Sequence, residues 1–96
     1  MKRDAMVIGR DDNVATALRN LSTGECVSVG IDHDIISIAM VESVEYGHKF
    51  AIKDISTGDE ILKYGEIIGR ATANIATGAH VHIQNVESLR GRGDLG

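Results

Sequence analysis

The segment ISTGDEI, residues 55–61, places a Thr-Gly pair between aliphatic residues, and the chain uses this form three times. The other two copies are LSTGECV (21–27) and IATGAHV (75–81), and their unequal separations exclude a fixed-period repeat array. Glycine adopts positive φ angles without a steric penalty, so each copy is typical of a turn that leads into a strand. We therefore predict one type of glycine turn, used three times in a chain of short strands.

Around these turns, short aliphatic or β-branched stretches bounded by Gly, Asp or Thr-Gly favour β-strands. They are residues 5–8, 26–31, 35–41, 49–55, 60–64, 67–72 and 80–86, with a turn at 32–34. The chain contains no proline and shows no alternation of strands with helices. The predicted fold class is therefore mainly β.

One segment near the N-terminus has the period of a helix instead. Its apolar residues recur at helical spacing, Asp11 or Asp12 precedes them as a candidate N-cap, and Gly24 follows where a helix would end. We predict one short helix in this segment. Its apolar residues are Val14, Ala17, Leu18 and Leu21.

Length and composition describe one small domain with a thin core. The chain has 96 residues, of which 43% are hydrophobic and 3% aromatic, so the core must be mainly aliphatic. We predict a single domain over residues 1–88 and a Gly/Arg-rich tail over residues 89–96. A core this small is expected to be completed against a partner chain, or against another copy in a homo-oligomer.

Charge and cysteine content bear on partners and location. The formal net charge is −4 and the sequence lacks a large basic cluster, so no nucleic-acid partner is expected. The single cysteine excludes an internal disulfide, which suits a reducing compartment. Since the sequence has neither a signal-peptide pattern nor an apolar run of about 20 residues, we expect a cytoplasmic protein without membrane contact.

The stretch AHVHIQN (79–85) holds two histidines two positions apart. Alternate side chains of a strand share a face, so His80, His82 and Gln84 would lie together. Two imidazoles at this spacing can bind one cation such as zinc, iron or manganese, with further ligands from elsewhere. The alternative is an exposed polar face opposite two aliphatic residues.

The segment KYGE (63–66) groups a cation, a phenol and a carboxylate around one predicted turn. Lys63 and Tyr64 close together could bind a substrate carboxylate or stabilise a developing enolate. The alternative is that Lys63 and Glu66 are solvated surface charges and that Tyr64 covers apolar surface.

Three motifs, in the order GHK (47–49), KYGE.IG (63–69) and G.HVH..N (78–85), resemble the small SAF module of the altronate and galactarate dehydratases. The resemblance extends over roughly residues 11–94 and implies a β-clip fold. In this family the module either heads a longer chain or is a separate small subunit, as in altronate dehydratase and sulfolactate sulfo-lyase. The resemblance therefore implies a large catalytic subunit as partner, and an isolated chain without activity.

The resemblance also implies a lyase reaction. Such enzymes remove water, or sulfite, from a sugar acid or a sulfonated hydroxy acid by β-elimination, with a divalent metal such as iron or manganese. Relatives often read H-V-H-x-H-N here, and Gln84 replaces the third histidine, so we expect the partner subunit to hold most metal ligands. The implied site residues are His48, Lys63 and Tyr64 as catalytic groups, Lys49, Glu66, Gln84 and Asn85 as substrate-binding groups, and His80 and His82 as metal ligands.

A second hypothesis is a non-catalytic SAF-type module for binding or assembly. SAF-type domains also occur in sialic acid synthases and resemble antifreeze proteins, and a fold alone does not determine a function. Under this hypothesis, alanine at the histidine, lysine and tyrosine positions would leave the turnover of a partner enzyme unchanged.

Overall fold

The computed structural model describes residues 3–88, which form nine β-strands in two sheets. The first sheet has the strand order β4-β3-β1-β2-β5-β8 and the second has the order β6-β7-β9. Neighbouring strands are antiparallel except β1 and β3, which are parallel. The predicted mainly β class is confirmed, while the β-clip arrangement stays a prediction. The strands are β1 (Ala5–Val7), β2 (Val14–Ala17), β3 (Cys26–Ile31), β4 (Asp34–Ala39), β5 (Lys49–Ala51), β6 (Glu60–Lys63), β7 (Glu66–Ala71), β8 (His80–Val81) and β9 (Val86–Ser88).

The predicted helix near the N-terminus is wrong, because residues 3–88 contain no helix. Its first part is strand β2, which pairs with β1 on one side and β5 on the other. Val14 lies in one hydrophobic cluster whereas Ala15 and Ala17 lie in another, so β2 is buried on both faces. Strands buried on both faces carry apolar residues without strict alternation, and such a pattern can imitate a helical period. Leu18, expected on the buried face of the helix, is 41% exposed.

The three predicted glycine turns are confirmed, and a fourth turn of the same type accompanies them. Residues 22–25, 45–48, 56–59 and 76–79 each close with a hydrogen bond from the fourth backbone N–H to the first carbonyl oxygen. The third residue of each turn is a glycine with φ between 85° and 92°. These are the features of a type II turn, which requires positive φ at its third position.

Each turn is anchored by the aliphatic residue that precedes it. Leu21 pairs with Val44, and Ile55 pairs with Ile75, in two isolated antiparallel bridges. The first pair is buried in the hydrophobic cluster around Phe50, and the second pair is buried in the cluster on the other face of β2 and β5. The four turns therefore form two pairs, and each pair is fixed by its own half of the core.

The last predicted strand, residues 80–86, is divided in two. Strand β8 ends at Val81, residues 82–85 form a turn, and β9 then joins the second sheet beside β7. The predicted tail, residues 89–96, lies outside the described residues, so the domain boundary stays a prediction. Within residues 3–88, the structure has no helix long and apolar enough to cross a membrane.

Candidate metal and substrate site

Three histidine side chains meet at one edge of the first sheet. The ring nitrogens of His48, His80 and His82 that could serve as ligands all lie within 4.8 Å of one another. The ring centroids are 4.7 to 5.4 Å apart and the rings are close to parallel. Nδ1 of His48 lies 3.0 Å from Nε2 of His80. We call these three residues the histidine cluster.

Local structure explains how the histidines meet. The turn 45–48 ends at His48, the turn 76–79 ends just before His80, and the strands that follow these turns pair antiparallel. Phe50 is thereby opposite His80, and His48, the residue just before β5, lies beside the start of β8.

His82 joins the cluster through the turn at residues 82–85. The amide of Asn85 closes this turn: its Oδ1 accepts a hydrogen bond from the backbone N–H of His82 at 3.0 Å, and its Nδ2 donates to the carbonyl of His80 at 2.8 Å. The strand prediction placed His80 and His82 on one strand face, but the turn is what brings them together. Both the oxygen and the nitrogen of the Asn85 side-chain amide therefore bind the backbone.

The surroundings of His80 favour its neutral imidazole. Partial burial holds the pKa of His80 below its ordinary value, and positive charge on His48 or His82 would lower it further. Glu42 opposes this effect, and its Oε1 also accepts a hydrogen bond from the backbone N–H of His80 at 2.9 Å. Metal ions bind the neutral imidazole, so protons compete less at His80 than at an exposed histidine. Three imidazole nitrogens this close together suit zinc, iron or manganese.

A pocket of about 350 Å³ adjoins the histidine cluster and lies between the two sheets. Its polar groups come from Lys49, His82, Lys63 and Tyr64, and its apolar part comes from the second sheet and the turn at residues 82–85. The pocket volume is within the range of small-molecule sites. The remaining lining residues are Ile68, Ile83, Val86 and Ser88.

Two lysines make the pocket cationic. Burial lowers the pKa of Lys49 below its ordinary value, and the nearby charge of Lys63 lowers it further. The ammonium of Lys63 lies 4.7 Å from the centroid of the Tyr64 ring, a cation–π distance. Two like charges held close together are relieved by an anionic ligand, so the pocket is suited to a carboxylate.

The structure brings most of the sequence-predicted site residues together. His48, predicted as a catalytic group, lies in the histidine cluster with the two predicted metal ligands. Gln84 contacts this cluster, since its Nε2 lies 3.2 Å from Nδ1 of His80. Glu66, at the start of β7, is exposed and lies outside the described lining of the pocket.

Sequence reasoning missed two parts of the site. It placed His48 in the same site as a catalytic group and not as a third imidazole beside His80 and His82, and it did not identify the apolar lining of the pocket. A signal for the first was present: VEYGHK (44–49) repeats the aliphatic, two variable, glycine form of the other turns, with Tyr46 in place of threonine. This fourth copy places His48 at a turn exit, as IATGAH (75–80) does for His80.

Fold and site define a small all-β domain with a candidate metal and anion site where its two sheets meet. The chain belongs to the family of the altronate/galactarate dehydratase SAF domain, which it matches over residues 3–89. The family resemblance of the three motifs is thereby confirmed.

Curated relatives are of two kinds. The chain is 46% identical over 77 residues to an altronate dehydratase from Escherichia coli, an alignment that covers 80% of this chain and 15% of the relative. It is 37% identical over 82 residues to the altronate dehydratase of Bacillus subtilis, of which it spans 16%. It is 30% identical over 93 residues to the (2R)-sulfolactate sulfo-lyase subunit alpha of Chromohalobacter salexigens, covering 94% of this chain and 99% of the relative. The domain therefore occurs both as a small part of a long enzyme and as a subunit of its own length.

Proposed function

We propose that this chain is the small subunit of a cytoplasmic, metal-dependent hydroxy-acid lyase, a sugar-acid dehydratase or a sulfo-lyase. In this proposal it contributes metal-ligating and substrate-binding residues to an active site that a large subunit completes. The observation that carries the proposal is the histidine cluster beside the cationic pocket, in a domain shared with dehydratases and a sulfo-lyase subunit.

The metal would be held by His48, His80 and His82, whose ring nitrogens are close enough to share one ion. Iron or manganese fits this donor set, and the ion would supply Lewis acidity toward a substrate oxygen. Because Gln84 replaces the third histidine of the motif, the sequence predicted two histidine ligands from this chain. We propose His48 as a third nitrogen ligand, so the chain would offer three. The remaining ligands would come from the large subunit or from the substrate.

The lysines and the tyrosine would act on the substrate carboxylate. Removal of the proton beside a carboxylate places negative charge on its oxygens, and donors already directed at those oxygens stabilise the transition state. Lys49 and Lys63 supply ammonium donors and Tyr64 supplies a phenol hydroxyl. The leaving group departs as water from a sugar acid or as sulfite from a sulfonated acid, and we assign the base to the large subunit.

A large partner is supported by the relatives. In the altronate dehydratases the matched segment is about one sixth of the chain or less, so most of each enzyme lies outside it. In the sulfo-lyase the same domain is a subunit designated alpha. We propose that the large subunit covers the pocket and supplies most of the substrate specificity.

The test is a tagged purification of this chain from its native host, with metal analysis and assays on altronate, galactarate and sulfolactate. We expect a large subunit and iron or manganese to co-purify, and elimination to require both chains. Alanine at His82 or Lys63 should lower turnover, whereas alanine at His33, an exposed residue between β3 and β4, should not. Full activity from the chain alone contradicts the proposal. Unchanged turnover in the His82 and Lys63 variants favours the non-catalytic binding or assembly module instead.

A further inference from the structure

We infer that Asp12 is a positioning residue: its carboxylate holds the Lys63–Tyr64 turn of the second sheet in place against the histidine cluster of the first. The inference rests on the proposed function for the importance of Lys63, whereas the contacts that carry it belong to the fold. Asp12 has no place in the lyase mechanism proposed above, and it does not line the described pocket.

The carboxylate of Asp12 is almost fully buried, and both of its oxygens accept hydrogen bonds from the backbone. Asp12 is 3% exposed. Its Oδ2 accepts hydrogen bonds from the backbone N–H of Gly9 at 2.9 Å and of Tyr64 at 2.8 Å, and its Oδ1 accepts one from Gly65 at 2.9 Å. A buried carboxylate is costly unless such donors compensate for the lost water, so these bonds are strong and directional.

The turn that Asp12 holds has an unfavourable backbone conformation. Tyr64 has φ of 57° and Gly65 has φ of 74°, and the left-handed region is disfavoured for a residue such as tyrosine. Because both backbone N–H groups of this turn donate to one carboxylate, Asp12 stabilises the conformation against that preference. The ammonium of Lys63 lies over the Tyr64 ring, so its position depends on this turn.

The loop between β1 and β2, which carries Asp12, also joins the two sheets through Asn13. Asn13, 9% exposed, donates from Nδ2 to the carbonyl of Glu60 at 2.8 Å and accepts from the backbone N–H of Leu62 at 2.8 Å. Strand β2 begins at the next residue and pairs with β5, where Thr16 is opposite Lys49. One short loop is thus covalently joined to the strand beside Lys49 and hydrogen-bonded to the hairpin that carries Lys63.

The experiment uses the full chain with its lysines carrying ¹³C-methyl groups, observed by NMR with and without Mn²⁺. Mn²⁺ in the histidine cluster should broaden the Lys49 and Lys63 signals, while backbone amide exchange reports the turn in the metal-free chain. In Asp12→Asn, we expect exchange at Tyr64 and Gly65 to rise by about tenfold or more. We also expect the Lys63 broadening to fall, the Lys49 broadening to persist, and Mn²⁺ affinity to stay within about twofold of wild type.

Two further variants complete the design. Gly9→Ala disturbs the same contact without changing the carboxylate, because its methyl group would collide with Asp12 and with the backbone nitrogen of Gly65. Gly9→Ala should therefore give the result expected for Asp12→Asn, and it replaces Asp12→Asn in the test if Asp12→Asn folds poorly. Asp59→Asn is the matched control, since Asp59 is an exposed carboxylate that accepts a hydrogen bond from the backbone N–H of Ser56 within its own turn. It should leave the signals of Lys49 and Lys63 unchanged.

Each outcome decides the inference. It is overturned if Lys63 is broadened equally in Asp12→Asn and wild type, or if exchange rises across both sheets together with a loss of Mn²⁺ affinity, which marks a general structural role. If Mn²⁺ fails to broaden Lys49 in the wild type, the proposed metal site fails separately. The amide exchange then decides alone, and the inference stands only if the increase is confined to residues 63–65.

Discussion

Two of the four glycine turns end at the candidate site, and the other two do not, although all four share one backbone geometry. In the turns 22–25 and 56–59, the fourth residue is acidic and its carboxylate accepts a hydrogen bond from the first N–H of the same turn. In the turn 45–48 the fourth residue is His48, and the turn 76–79 is followed by His80. We call the first two the closed turns and the other two the site turns.

The comparison separates what a turn does for the fold from what it contributes to chemistry. Each of the four turns needs a glycine at its third position because the backbone has positive φ there. Each turn is also anchored by a buried aliphatic residue that precedes it. The difference that bears on the site lies in the side chains at the exit. A carboxylate of a closed turn accepts a hydrogen bond from its own turn, whereas the imidazole of His48 meets that of His80 where β5 pairs with β8. The same glycine turn thus serves the fold in all four places, and the exit residue together with the strand that follows it determines which side chains reach the candidate site.

The largest expected effect concerns the glycines of one turn from each group. Gly58 and Gly78 have φ of 92° and 88°, but a methyl group at Gly58 would meet open space whereas one at Gly78 would collide with the carbonyl oxygen of Ala39. Gly58→Ala should cost about 1–2 kcal/mol of unfolding free energy, from backbone strain alone. Gly78→Ala should cost roughly a further 1–3 kcal/mol from overpacking. Urea unfolding of both variants measures this, and equal losses would show that the turn 76–79 is no more constrained than the turn 56–59.

The second expected effect concerns the exit residues. His48→Ala should weaken Mn²⁺ or Zn²⁺ binding by at least about 100-fold, the upper end of losses seen even for residues that only support metal ligands. Asp59→Ala, at the same position of a closed turn, should leave metal affinity unchanged. Calorimetric titration of both variants measures the difference. Similar affinity in the His48 variant and wild type would mean that the site turns do not build a shared metal site.

The smallest expected effect concerns Lys49, the residue after the site turn 45–48. Its pKa lies below the ordinary lysine value because of burial first and the charge of Lys63 second. Lys63→Met removes a like charge, which favours the protonated form, so the pKa of Lys49 should rise without reaching its ordinary value. NMR titration of the lysine side chains measures this. A pKa that does not move would place Lys63 too far away to share a ligand with Lys49.

The parts of the fold that local sequence dictates were predicted well. A Thr-Gly pair after an aliphatic residue forms a type II turn because only glycine accepts the positive φ freely, and no distant residue is needed for that. The helix at Val14 was predicted wrongly because its residues are apolar on both faces for a tertiary reason: β2 lies between β1 and β5, with a hydrophobic cluster on each side. The role of Asp12 was missed for the same reason, since its partners at Tyr64 and Gly65 are more than fifty residues away.

The sequence by itself determined the mainly β class, the glycine turns, the family, and the set of imidazole, ammonium and phenol groups available for chemistry. These follow from local conformational preference and from the order of short motifs. Only the tertiary structure decided which of those groups meet. His48 and His80 are 32 residues apart in the chain, and they come within hydrogen-bonding distance because β5 pairs with β8 in one register. Strand pairing at long range depends on the burial of both sheet faces together, which no short stretch of sequence contains.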